Sequence, residues 1–213
     1  MNLVDNLIKD GWLKTPEIIE AFRKIKREDF VPEELKNLSK LNEALPIGSG
    51  QTISQPLTVA FMIELLQPKL GDKILDVGSG SGWATALLAY IVRQSSHGSH
   101  GRENRETPGG RVIAIELVPE LYRFGENNVQ RYGFKNIDYI LGDGSKGYAK
   151  ESPYDKILVS AAAERVPEEL KKQLKTGGRL VIPIKNSIWL FIKKGEDEFQ
   201  EKEHPGFVFV PLV

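Results

Sequence analysis

Apolar residues along this chain follow two rhythms, and the change falls near Gly71-Asp72. Upstream, residues 3–10 and 16–26 carry apolar positions at helical spacing, with Thr15 suited to an N-cap and Pro16 to the first helical position. Asp29-Phe30-Val31-Pro32 breaks that pattern, and a mixed segment leads into LPIGSGQTISQP, Leu45 to Pro56. That stretch is too polar for a strand and holds two glycines and two prolines, so it reads as a shaped loop. From Pro56, PLTVAFMIELLQ predicts a buried helix with proline in its first turn.

Downstream the pattern alternates between strand and helix. KILDVG (73–78), RVIAIE (111–116), NIDYIL (136–141) and KILVSA (156–161) read as strands, with helices predicted over 82–93, 118–132 and PEELKKQL. GGRLVIPI and SIWLFIKKG, separated by Lys185-Asn186, suit a hairpin, and FVFV (207–210) reads as a final short strand. Continuous apolar strands between amphipathic helices predict a parallel sheet covered on both faces. The expected architecture is α/β: a doubly wound, mostly parallel sheet with an antiparallel C-terminal edge and an N-terminal helical extension. One domain spans 1–213, with helices and the loop segment in 1–55 and the α/β core in 56–213.

Composition narrows the partners. Lys plus Arg equals Asp plus Glu at 29 each, so a nucleic acid is not expected as partner. The absence of cysteine removes thiolate nucleophiles and Cys-based zinc sites, and fits a reducing compartment. MNLVDNLIKDGW has no signal-like apolar run and no stretch reaches membrane-spanning length, so a cytoplasmic protein with no membrane partner is expected, as a monomer or homo-oligomer. SSHGSHGRENRETPGG (95–110) carries His97 and His100, but no cysteine or third histidine is nearby; it reads as a solvated crossover loop, and no metal is expected.

The strongest chemical signal is ILDVGSGSG, Ile74 to Gly82, at a strand-to-helix turn where open α/β sheets bind ligands. Its glycines permit a tight turn and close approach of a ligand, and the following helix offers free amides. A dinucleotide fold wants G-x-G-x-x-G; this chain has G-x-G-x-G, with Asp76 two residues before the first glycine. A pyrophosphate disfavours that carboxylate, whereas the cationic methionine end of S-adenosylmethionine suits it. Glu116 ends the next strand, where a carboxylate accepts from both ribose hydroxyls, and Asp143 in LGDGSKG is placed for an adenine amino group. Singly, each acid also suits a helix cap or a solvated loop; three at the ends of successive strands point to one site.

LPIGSGQTISQP, LDVGSGSGW, LGDGSKGY, PYDKILVSAAAERVP and GGRLVIPI together resemble the protein-L-isoaspartate O-methyltransferase family, from about residue 20 onward. The most specific element is GQTISQP one helix before the glycine loop. The resemblance implies a class I methyltransferase fold that uses S-adenosylmethionine and releases S-adenosylhomocysteine. It implies methylation of the free α-carboxylate of L-isoaspartyl residues, with D-aspartyl residues as a further candidate, in damaged proteins and peptides. Ser54 corresponds to the family's active-site serine. Gln51, Thr52, Ile53, Ser54, Asp76, Gly78, Gly80, Glu116, Leu117, Gly142 and Asp143 correspond to cofactor contacts, and Ile47, Ser54, Val210 and Leu212 to the substrate side. The chain ends at Val213, where the family often carries a short tail.

A carboxylate is already ionised at neutral pH, so methyl transfer to it needs alignment and exclusion of water rather than a strong base. A Ser54 hydroxyl donating to one carboxylate oxygen leaves the other free to attack, and backbone amides from Gln51 to Ser54 supplement it. Two other readings share the glycine loop: a methyltransferase for a small molecule, and a catalytically silent methyltransferase-like adaptor. Neither requires GQTISQP. A nicotinamide-dependent oxidoreductase is disfavoured by the loop spacing and Asp76.

Overall fold

The computed structural model describes residues 2–93 and 109–210. Helices α1 (Leu3–Lys9) and α2 (Pro16–Lys24) open the chain, and two short 3₁₀ turns, Arg27–Phe30 and Glu33–Leu38, follow. The Asn2 side chain caps α1 by accepting from the Asp5 N–H. Thr15 has extended backbone geometry at the N-cap of α2, but its hydroxyl donates to Glu64 at 2.7 Å instead of capping its own helix. Glu64 also accepts from the N–H groups of Lys14 and Thr15, so the entry to α2 is pinned across the fold.

The segment expected to be a shaped loop, too polar for a strand, contains a small antiparallel hairpin, β1 (Leu45–Gly48) and β2 (Gln51–Ile53). Ser49 and Gly50 turn it with φ of 50° and 71°, and the short strands bury Leu45, Ile47 and Ile53 while Thr52 faces out. Four and three residues are too few for alternation to register as a strand, and the glycines mark the turn. Helix α3 (Pro56–Leu66) begins with proline at its first position.

The main sheet has seven strands in the order β5-β4-β3-β6-β7-β8-β9. They are β3 (Lys73–Val77), β4 (Arg111–Glu116), β5 (Ile137–Leu141), β6 (Tyr154–Val159), β7 (Leu174–Ile184), β8 (Ser187–Lys193) and β9 (Phe199–Pro205), with α4 (Trp83–Val92), α5 (Pro119–Gln130) and α6 (Glu168–Lys172) between them. Strands β5 through β7 run parallel; β8 and β9 are antiparallel to their neighbours. Alternate side chains divide the core: Ile74, Val112 and Leu158 join the residues of α1–α5 on one face, while Leu75, Val77, Ile113, Ile115 and Ile157 pack with Leu170 of α6 on the other. The strand order reverses between β3 and β6, which opens a crevice at their carboxyl ends.

The C-terminal region departs from expectation. The last strand is β9, and 207–210 is not a strand. FQEKEHP is polar because it lies at the sheet edge, paired with β8 on one side only and largely exposed, a charged edge that resists further pairing. Gly206, at φ 98°, then turns the chain off the sheet. Phe207 stacks on Phe61 with ring centroids 5.3 Å apart, and the Val210 carbonyl accepts from the Ala162 N–H at 2.8 Å. FVFV therefore runs across the carboxyl ends of the strands as an extended strap. Among the described residues no helix is long and apolar enough to cross a membrane, and no group of three His, Cys, Asp or Glu side chains is placed to hold a metal.

Candidate functional site

After Val77 the chain turns on Gly78, Gly80 and Gly82, with φ of 75°, 51° and 84°. The Gly78 and Ser79 N–H groups donate to the Ile115 carbonyl at 2.9 and 3.1 Å. The Gly80 N–H donates to Glu116 Oε2 at 2.8 Å, and Glu116 Oε1 accepts from the Val118 N–H at 3.0 Å. Two amides thus fix the Glu116 carboxylate, and each oxygen keeps a lone pair for a further donor. At Gly82 a Cβ would lie 2.7 Å from the Tyr139 hydroxyl and 2.8 Å from the Gly125 carbonyl, so this glycine lets α4, α5 and β5 close up behind the loop.

Between this loop and the β1–β2 hairpin lies a cavity of about 880 Å³ including its open mouth. Ile47, Gln51, Thr52, Ile53, Ser54, Gly78, Gly80, Glu116, Leu117, Gly142 and Val210 border it, as do Ser160 and Ala161 at the end of β6. Two acids expected there do not. Asp76 has no exposed surface; its Oδ2 accepts from the Thr85 hydroxyl at 2.6 Å and its Oδ1 has no partner. Burial pushes its pKa up to about 6, with the Thr85 bond opposing and the Glu116 charge adding to the rise. Asp143 lies between Gly142 and Gly144, but its Oδ1 accepts from the Ser145 hydroxyl and N–H at 2.6 and 2.9 Å, and its Oδ2 pairs with Lys146 at 3.3 Å. The Ser145 bond leads in holding its pKa below the usual carboxylate range. Leu212, His97 and His100 lie outside the described residues.

The donor set fits a nucleoside without phosphates. A fixed carboxylate suits a diol, Leu117, Val118 and Leu121 offer an apolar strip for a purine, and no Lys or Arg borders the cavity among the described residues. The buried Asp76 and Glu116 favour a cationic group in front of the loop.

A second cavity, about 1250 Å³ including its mouth, lies between Asn42–Ala44 and the strap Gly206–Val210. Four residues border both cavities: Thr52, Ser54, Ser160 and Val210. Three of them, Thr52, Ser54 and Ser160, carry hydroxyls on this shared border. Ser160 was not singled out from the sequence, because only the pairing of β6 beside β3, with the Ser160 N–H donating to the Val77 carbonyl at 2.9 Å, carries it there.

Arg27 was also not singled out. Buried to 5% exposure, it donates from Nη1 to the carbonyls of Ser39 and Leu41 at 3.1 and 3.2 Å. Its Nη2 donates to those of Glu43 and Ser54 at 2.7 and 3.2 Å. Its guanidinium carbon stands 5.6 Å from the centre of the Trp83 ring, whose residue borders the first cavity.

A family model described as protein-L-isoaspartate(D-aspartate) O-methyltransferase (PCMT) matches residues 1–213. A relative from Methanopyrus kandleri named protein-L-isoaspartate O-methyltransferase is 42% identical, over 99% of this chain and 89% of its own. One of the same name from Ignicoccus hospitalis is 43% identical, over 99% and 95%. Among solved structures, a crystal structure from Plasmodium falciparum, described as a PCMT in complex with S-adenosyl-L-homocysteine, has the same fold; it superposes with a TM-score of 0.83 over 100% of this chain and 99% of that one, at 24% identity.

Proposed function

Because the chain belongs to the protein-L-isoaspartate O-methyltransferase family, we propose that its two cavities divide the reaction between them: S-adenosylmethionine in the first, and the isoaspartyl α-carboxylate in the second. The observation that supports this reading is the border that both cavities share, Thr52, Ser54, Ser160 and Val210, across which a methyl group would pass.

Gly78 and Gly80 give the donor's amino-acid end close access to the loop, Glu116 accepts from the ribose hydroxyls, and Leu117 and Gly142 flank the base. Bound S-adenosylmethionine supplies an electrophilic methyl on a sulfonium, and its transfer to a carboxylate oxygen leaves a neutral ester and a neutral thioether with no proton to move. Ser54 donates its hydroxyl to one substrate oxygen and leaves the other aimed across the shared border. Ser160, on the facing side, holds the same carboxylate from β6. Ile47 and Val210 exclude water from that border. Neither serine acts as a nucleophile, since no histidine borders either cavity among the described residues. The small-molecule and adaptor readings lack support of this kind: a second open cleft 1250 Å³ in size suits a polypeptide.

Labelling peptides with methyl-tritiated S-adenosylmethionine tests the reading. Transfer to an L-isoaspartyl peptide and near-absence on the matched L-aspartyl peptide are expected, with a D-aspartyl peptide as the third arm. Equal labelling of the first two, or none of either, overturns it.

A further inference from the structure

Arg27 borders neither of these two cavities, yet it holds the walls of one of them. The Ser39, Leu41, Glu43 and Ser54 carbonyls all accept from it, and none of the ion pairs among the described residues includes it. Burying a guanidinium is costly unless its charge is met by well-placed acceptors. Here alternate carbonyls of one segment meet it, together with one carbonyl from the serine loop.

The bonds of Nη2 are the informative ones. A single nitrogen joins Glu43 to Ser54, and both residues border the second cavity. One planar group therefore ties together the two walls of that cleft beside the shared border. Two further bonds tie the same walls: Gln55 Nε2 donates to the Asn42 carbonyl at 2.8 Å, and Asn42 Oδ1 accepts from the Leu57 N–H at 2.9 Å.

The Ser54–Gln55 peptide is trans, so its C=O and N–H point in opposite directions. With the Ser54 carbonyl turned onto Arg27, the Gln55 N–H is turned away from it, and Gln55 itself borders the cleft. A cation on the carbonyl also polarises the amide and strengthens that N–H as a donor.

We propose that Arg27 is a positioning residue for methyl transfer: its Nη2 staples the Glu43 and Ser54 walls of the cleft and aims the Gln55 N–H, beside the Ser54 hydroxyl, at the substrate carboxylate. This rests on the reading that the carboxylate binds in the second cavity. A lysine cannot replace it, because an ammonium offers its donors from one point and cannot span these four carbonyls.

The experiment compares wild type, Arg27→Lys and Arg27→Ala by three measurements: isoaspartyl-peptide kinetics, calorimetric binding of S-adenosylhomocysteine, and amide hydrogen exchange. Arg27→Lys is expected to lower kcat/KM roughly 30-fold while S-adenosylhomocysteine affinity stays within about threefold. Free guanidinium ion at millimolar levels should restore part of the turnover of Arg27→Ala. Exchange should quicken at residues 39–43 and 52–55 in Arg27→Lys and stay unchanged in β3 and β4. Unaltered kinetics overturn the proposal, as does cofactor affinity falling in step with turnover. If wild type methylates no isoaspartyl peptide, the functional reading fails, and unchanged exchange at residues 39–43 and 52–55 in Arg27→Lys would separately overturn the hold assigned to Arg27.

Discussion

The Thr85 hydroxyl, in the first turn of α4, donates to Asp76 Oδ2 at 2.6 Å, the one hydrogen bond that this carboxylate, which has no exposed surface, makes among the described residues. The bond crosses beneath the glycine loop, joining the strand that enters it to the helix that leaves it. The loop therefore rests on a charge that burial disfavours.

That relationship has a pH dependence of definite sign. Burial raises the Asp76 pKa from 3.8 to about 6 in the folded protein. The native state thus prefers the protonated group; the contribution is fully present below about pH 4 and is lost as pH rises through about 6, on the order of 3 kcal/mol in all. Denaturant titrations from pH 4 to 7.5 should show a shallower decline for Asp76→Asn than for wild type. Parallel curves would refute the assignment.

Under the proposed assignment, Ser54→Ala removes a hydrogen bond to a substrate carboxylate oxygen and leaves the glycine loop untouched. Turnover of isoaspartyl peptide should fall roughly 10- to 100-fold, with S-adenosylhomocysteine affinity nearly unchanged. Lost cofactor binding with intact turnover would place Ser54 in the wrong cavity.

Ser160→Ala should raise the KM for peptide about tenfold, and Ser160→Thr, which keeps the hydroxyl, should recover most of the loss. If alanine and threonine behave alike, the hydroxyl is not what matters at this position.

Two glycines near the loop should respond oppositely to alanine. Gly82→Ala puts a methyl 2.7 Å from the Tyr139 hydroxyl at a positive φ, and should cost about 2–4 kcal/mol of stability. Gly142 has open space in front of it and borders the first cavity, so Gly142→Ala should leave the melting temperature alone and weaken S-adenosylhomocysteine binding. Calorimetry reads both; equal destabilisation of the two would contradict the geometry.

The parallel core was legible because β3, β4 and β6 are buried on both faces and read as unbroken apolar runs. β9 was not, since FQEKEHP is largely exposed and shows no apolar face, and FVFV, more apolar, reads as the last strand instead. The serine of the TISQP segment stood out locally. Ser160 and Arg27 did not, because each depends on contacts made far along the chain: β6 lying against β3, and carbonyls 12 to 27 residues beyond Arg27. Asp76 and Asp143 were legible as acids at strand ends, but neither borders the cavity; one is sealed beneath the loop and the other is engaged by Ser145 and Lys146.

The four-residue border between the cavities also bears on the order of events. Both cavities are open to solvent among the described residues, so under the proposed assignment we expect that neither ligand has to pass the other on the way in or out. A damaged protein can dock before or after the methyl donor, and the esterified chain can depart while the spent nucleoside is still seated. Initial-velocity patterns for such a layout are those of a ternary-complex enzyme with random addition.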